Sequence, residues 1–359
     1  MIGRTDDHIQ LFLDCLEKQT LKNFEAIIAD CYYKHQNNHV KNNTYKGKTY
    51  PFTIHHFQVK SPWLDRGCWA GQAPWNQSTM IADGELLCLF GDCCEPPENY
   101  LQNIWDWYKK GFWSMGLVIY KKNGRLFYIN EEDLQNPIPD SDIAVWNQGI
   151  IKNVKILRER GVLKNLVRDS RWPFVENSSD GIVKLKGIKG GQQFHGYSSI
   201  PANALLEING FDENFDGDKA LGDTDFGIRL AQAGYDRELI LDKDTIIYEN
   251  AHYGIPEKLL FYEGNTIRSN YSLMILNQNK GRFKANDYHL SPDEVDWIHE
   301  HAKDWGFRDI DQRKNPLFKW WIENPPIFNL RELRWEVQEK MDNGIIEIPE
   351  YYGEKINED

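Results

Sequence analysis

Short apolar runs alternate with amphipathic stretches up to about residue 250, and that alternation restricts the chain to an α/β sheet with helices against it. Residues 7–20, DHIQLFLDCLEKQT, put Ile9, Phe12, Leu13 and Leu16 at helical spacing, so an amphipathic helix is expected there. The run FEAIIA, from Phe24 to Ala29, stops at Asp30 and reads as a buried strand. Residues 34–50 are polar and rich in Asn and Lys, and read as a loop. Phe52 to Val59 alternates weakly and reads as another strand. A Trp- and Gly-rich loop follows, then a helical STMIADG and the strand LLCLF. After Pro96 and Pro97, NYLQNIWDWYKKG predicts a helix closed by Gly111. GLVIYKKNGRLFYI predicts a hairpin turning on Asn123-Gly124.

Residues 131–195 are less regular and include a helix-like IIKNVKILRERGVL. Residues 200–235 hold the helix PANALLEIN, the acidic loop FDENFDGDKALGDTD and the helix FGIRLAQAG. DTIIYE then reads as a strand. From about residue 255 the composition shifts to a charged, Trp-rich and mostly helical tail, ending in a disordered-looking EKINED. Two units are therefore expected: an α/β domain over 1–255 and a helical extension over 256–359.

The net charge of −12 argues against nucleic acid or an anionic membrane as partner, because either needs a basic surface. No apolar run approaches the roughly 20 residues of a membrane span, and the start MIGRTDDHIQ has no signal-peptide core. Six irregularly spaced cysteines give no disulfide framework. A cytoplasmic, reducing setting is expected, in which the N-x-S/T triplets at Asn42, Asn76, Asn177 and Asn270 are chance matches.

In open α/β sheets ligands bind beyond the carboxyl ends of the strands. LLCLF ends there in Gly91-Asp92. Asp92 is either a turn residue or a carboxylate holding a hard cation and, through it, phosphate. Cys93 and Cys94 are adjacent, without the spacing of a zinc site, and read as small filler. Asp223 and Asp225 open the helix FGIRLAQAG. They either cap it or, for Asp223, serve as a general base. His252, after DTIIYE, is either structural or a ligand.

Taken in this order the segments resemble glycosyltransferase family 2, over roughly residues 5–255. LDCLEKQTLKNFEAIIADC is similar to that family's first helix and second strand. WNQSTMIADGELLCLFGDCCEPPENYLQNI resembles the segment leading into its metal-binding D-x-D strand end. GYSSIPANALLEINGFDENFDG resembles its acceptor-side loop and helix, and LGDTDFGIRLAQAGY its E-D-x-D-x-G-x-R-L segment.

The resemblance implies a GT-A fold, a Rossmann-like mixed sheet flanked by helices, and a nucleoside-diphosphate sugar such as a UDP-sugar as donor. It implies that Asp30 reads the nucleobase, with Asn76 and Asp92 also on the nucleotide. Asp92 and His252 would hold Mn²⁺ or Mg²⁺, and Asp223 would act as the base of an inverting transfer to a glycan or glycoside hydroxyl. Asp225, Trp172 and Tyr197 are placed on the substrate side, the two aromatics either stacking on a sugar or packing in the core. Several positions depart from the family: Gly91, Cys93 and Gly222 stand where it usually has acidic residues. Its first strand is also missing, with Met1 almost where that strand should end, so either the true start lies upstream or the sheet lacks an element. The departures keep two other readings open, a catalytically silent scaffold that binds a nucleotide or a partner protein, and a transferase of modified nucleic-acid bases.

Overall fold

Ile9, Phe12, Leu13 and Leu16 face inward from helix α1 (Ile9–Glu17), none more than 8% exposed. A computed structural model describes residues 8–31, 39–122, 125–126, 175–184, 197–217, 221–235, 239–250, 270–303 and 312–352. Strand β1 (Glu25–Asp30) follows α1, as FEAIIA predicts, and pairs in parallel with β3 (Lys48–Gln58). On its other edge β3 pairs antiparallel with β2 (His39–Tyr45). The polar stretch expected to be a loop over 34–50 thus contains a strand and the start of a second. Lys46 and Gly47 both take positive φ, 45° and 84°, the conformation of a two-residue hairpin turn. The side chains of 41–44 lie exposed at the sheet edge, so no apolar alternation marks the strand.

Helices α2 (Pro62–Asp65) and α3 (Ala73–Ile81) lead to β4 (Leu86–Cys88), β5 (Cys94–Glu95) and α4 (Tyr100–Lys109), which ends at Gly111 with φ 81°. Then come β6 (Trp113–Ser114), β7 (Leu117–Lys122) and β8 (Arg125–Leu126), the last two forming the expected hairpin. After β9 (Ile182–Lys184) and β10 (Ser199–Pro201) the chain forms α5 (Ala202–Glu207), α6 (Gly222–Gln232), β11 (Leu239–Asp242) and β12 (Ile246–Asn250). The remaining helices are α7 (Asn270–Asn279), α8 (Pro292–Lys303), α9 (Pro316–Glu323) and α10 (Leu330–Asp342).

The result is a mixed α/β fold: small mixed sheets flanked by helices, with a helical C-terminal region. The sheet orders are β1-β3-β2, β10-β4, β6-β11-β9 and β5-β12-β7-β8. A bridge between Met115 and Ser198, and the Ser114 N–H on Ser199 Oγ at 3.0 Å, carry the layer from β10 to β6. One layer therefore runs β4, β10, β6, β11, β9.

The C-terminal helices share the core of the sheet region. Leu330 and Val337 of α10 are fully buried with Met80 and Ile81 of α3. The Gln338 amide caps α3 by donating to the Ile81 carbonyl at 2.8 Å, one of the orphan acceptors of that helix end. Trp321 is buried with Trp63, and Trp320 packs edge-on against Trp63, whereas Trp335 is 71% exposed. Among the described residues no helix is long and apolar enough to cross a membrane.

Candidate active site

β1 and β4 line one cavity, Glu25–Ile28 on one side and Leu86–Gly91 on the other. At their amino ends, Glu25 accepts from the backbone N–H of Asp83 at 2.7 Å, just ahead of β4. At their carboxyl ends, the Cys31 thiol is pushed up by burial and, in addition, by the carboxylates of Asp30, Asp216 and Asp92. Asp30 closes β1, is 8% exposed, and lies 3.0 Å from Nε2 of His56 on β3. Asp92 occupies the turn between β4 and β5 and is 5% exposed. Asp30 and Asp92 are thus both buried at strand ends.

Asp216 ties this place to two helices. Its carboxylate accepts from the backbone N–H groups of Gly71 and Gln72, each at 2.7 Å, and of Ala73 at 3.0 Å, which satisfies the donors opening α3. The Gln72 side chain in turn packs directly on Gly222, the first residue of α6. Asp223 follows, partly exposed, its Oδ1 accepting from the Thr224 N–H at 2.8 Å. Leu221 enters the helix with φ 71°, a left-handed conformation that only surrounding structure holds in a non-glycine residue. Asp216 is therefore linked through Gln72 to the start of the helix that carries Asp223.

The Gly91–Cys94 turn has a second wall. A side chain on Gly91 would meet the Sγ atoms of Cys93 and Cys94 and the Tyr197 hydroxyl, all within 3.9 Å. Tyr197 donates to Glu249 of β12, and the Cys93 thiol lies 3.7 Å from the other oxygen of that carboxylate. The six cysteines are reduced thiols, and Cys93 and Cys94 are the small buried filler the sequence suggests.

Glu249, Gln72, Asp216 and His56 were not singled out by sequence. For Glu249 the one signal is its place in YENAHYG, where attention falls on the histidine. Asp216 sits in an acidic loop with Asp212 and Glu213, and nothing in the spacing distinguishes the three.

Two candidate residues point inward. Asn76 is fully buried. Its amide donates to the Phe211 carbonyl and to Glu213, each at 2.8 Å, and its carbonyl accepts from the Phe211 N–H at 2.8 Å. It holds the 211–213 loop. Asp225 is 1% exposed and accepts from Arg229 Nε at 2.7 Å, while Arg229 also donates to the carbonyls of Ile208 and Gly210. Burial pushes the Asp225 carboxyl up to about 6, against the pull of Arg229. Trp172 and His252 lie outside the described residues. Among the described residues no group of three or more His, Cys, Asp or Glu side chains is arranged to hold a metal ion.

No protein-family model matches this sequence, and no curated protein matches it significantly. Solved structures similar to it include S. aureus TarS 1–349 in complex with UDP, at 12% identity and a TM-score of 0.45, covering 89% of this chain and 76% of that one. The same protein in complex with UDP-GlcNAc gives 11% identity and a TM-score of 0.46, covering 86% and 74%. The crystal structure of S. aureus TarS gives 11% and 0.44, covering 87% of this chain and 43% of that one.

Proposed function

We propose that the chain is a nucleotide-sugar-dependent glycosyltransferase that transfers with inversion to a hydroxyl of a glycan or glycoside. The observation that carries this reading is the place of two buried carboxylates at strand ends, Asp30 closing β1 and Asp92 just beyond β4, together with Asp223 at the start of α6, where Gln72 joins it to Asp216. Strand ends of this kind are where α/β sheets bind nucleotides.

Asp30, held by His56, accepts hydrogen bonds from the base. Asp223 is the partly exposed carboxylate of the set, so an acceptor hydroxyl can reach it. The hydroxyl oxygen attacks the anomeric carbon from the face opposite the diphosphate, and the bond from that carbon to the diphosphate oxygen breaks. Asp223 takes the hydroxyl proton, and the nucleoside diphosphate leaves with the electron pair. One displacement inverts the centre. Asp92 stands at the diphosphate end.

Calorimetric titration of UDP and of GDP, each with and without Mn²⁺, tests the reading. Micromolar binding of one nucleotide supports a donor site and names the base. No binding of either by the folded protein assigns it instead as a silent scaffold.

A further inference from the structure

Helix α10 buries one side and leaves the other uncovered. Leu330 and Val337 lie in the core, Arg334 donates to the Ala82 carbonyl at 2.7 Å, and Gln338 donates to the Ile81 carbonyl at 2.8 Å. These contacts turn Arg331, Trp335 and Glu339, spaced four apart along the helix, to the outside, and all three are exposed. Trp335 is 71% exposed, against 55% for Ile345 and 39% for Leu11, the next large apolar side chains at the surface among the described residues. Tryptophan carries a large apolar area and is enriched where proteins meet one another.

The charges beside Trp335 are set against their own helix. Arg331 lies in the first turn of α10, where the helix dipole favours an anion. Glu339 and Asp342 lie in the last turn, where it favours a cation. Glu332 and Lys340 stand at the ends the dipole does favour, and both are engaged within the helix and its cap. Glu332 accepts from the Asn329 amide at 2.9 Å, and Lys340 pairs with Glu336 at 2.7 Å. Among the described residues none forms an ion pair with Arg331, Glu339 or Asp342.

We propose that this face of α10 binds the same face of a second copy of the chain, the two helices antiparallel about a two-fold axis at Trp335. Arg, Trp and Glu at four-residue spacing are their own complement under that operation. Arg331 and Glu339 stand about 6 Å along the helix on either side of Trp335. The arginine of each copy therefore meets the glutamate of the other, and the two tryptophans meet at the centre. Asp342 approaches the amino end of the other α10, where its charge is favourable. Each charge opposed by its own helix dipole is thus matched by the other copy. A parallel pairing would set arginine beside arginine, and a partner of one charge sign would match one end of the row and repel the other. The contact is one helix wide, less than the roughly 800 Å² per partner of a standard interface. A weak dimer is expected, with a Kd of about 10–100 µM. This inference does not depend on the glycosyltransferase reading.

Sedimentation equilibrium of the 359-residue chain over about 1–300 µM tests the proposal. The parent is expected to show a monomer–dimer equilibrium, which Trp335→Ala weakens at least about 30-fold. Arg331→Glu places like charges together twice in the dimer and is expected to weaken it about tenfold, and Glu339→Arg to do the same. An equimolar mixture of those two variants restores both opposite pairs in the mixed dimer. It is expected to associate within about threefold of the parent, as is the double variant. A parent that stays monomeric throughout, a dimer that survives Trp335→Ala, or a mixture no tighter than its two components would each overturn the proposal.

Discussion

The side-chain amide of Gln72 fills the space in which a Cβ on Gly222 would stand. The glycine at the start of α6, where the resemblance expects a carboxylate, is thereby accounted for: the place is already taken by a side chain from the start of α3. Gly222→Glu is expected to cost about 1–3 kcal/mol through overpacking. Adding Gln72→Ala should recover most of that loss. Urea unfolding of the two single variants and the double variant measures this coupling, and strictly additive values would show that the two residues do not compete for space.

Asp223→Asn keeps the size of the side chain and its contact with Thr224 but removes the proton acceptor. Transfer should fall about 100- to 10,000-fold. The affinity for UDP should stay within about twofold, because the base is placed on the acceptor hydroxyl. A single-turnover assay beside calorimetry separates the two quantities. A variant with full activity would remove Asp223 from the mechanism.

Asp92→Ala tests the strand end at which LLCLF runs into GDCC. UDP binding is expected to weaken about tenfold, the ~1.4 kcal/mol that each factor of ten represents. Titrations in Mn²⁺ and in EDTA report whether the loss follows a cation. Equal affinities for parent and variant in both buffers would make Asp92 a turn residue.

Glu213 sets a pH dependence of stability. Burial, and then the charge of Asp216, push its carboxyl up to about 8 from an ordinary 4.5. The folded protein therefore holds a proton that the unfolded chain releases. The associated stability is complete below about pH 4.5 and is lost as pH rises through about 8. Asp225, raised to about 6, adds a fall at lower pH. Glu213→Gln should flatten the decline in unfolding midpoint between pH 6 and 8 and leave below pH 6 only the part due to Asp225. An unchanged profile would mean that Glu213 is ionised in the folded protein.

What the sequence reveals of this fold follows from how local each signal is. α1, β1, α4, α5 and α6 declare themselves because an apolar stripe or run is bounded by a turn residue within a few positions, as Gly111 bounds α4. β2 does not, because an exposed edge strand is held by its backbone ladder and its side chains carry no pattern. At the site, Asp30 and Asp92 are legible because each ends an apolar run. Gln72, Asp216 and Glu249 act through partners far along the chain. Asp216 meets Gln72 at a separation of 144 residues, and Glu249 meets Tyr197 at 52. One-dimensional spacing cannot encode such meetings.

Tyr351 and Tyr352 both donate to Glu213, and the Tyr351 hydroxyl also accepts from Gln77, 274 positions earlier. This sets an order in time during synthesis. The 211–216 loop, which carries Asp216 and is held by Asn76 of α3, cannot be sealed until residue 352 has left the ribosome. Until then Glu213 lacks the two hydroxyls that close over it. Maturation of the candidate site is in this sense one of the last events in the life of the nascent chain, although the strands beneath it are among the first parts to be made.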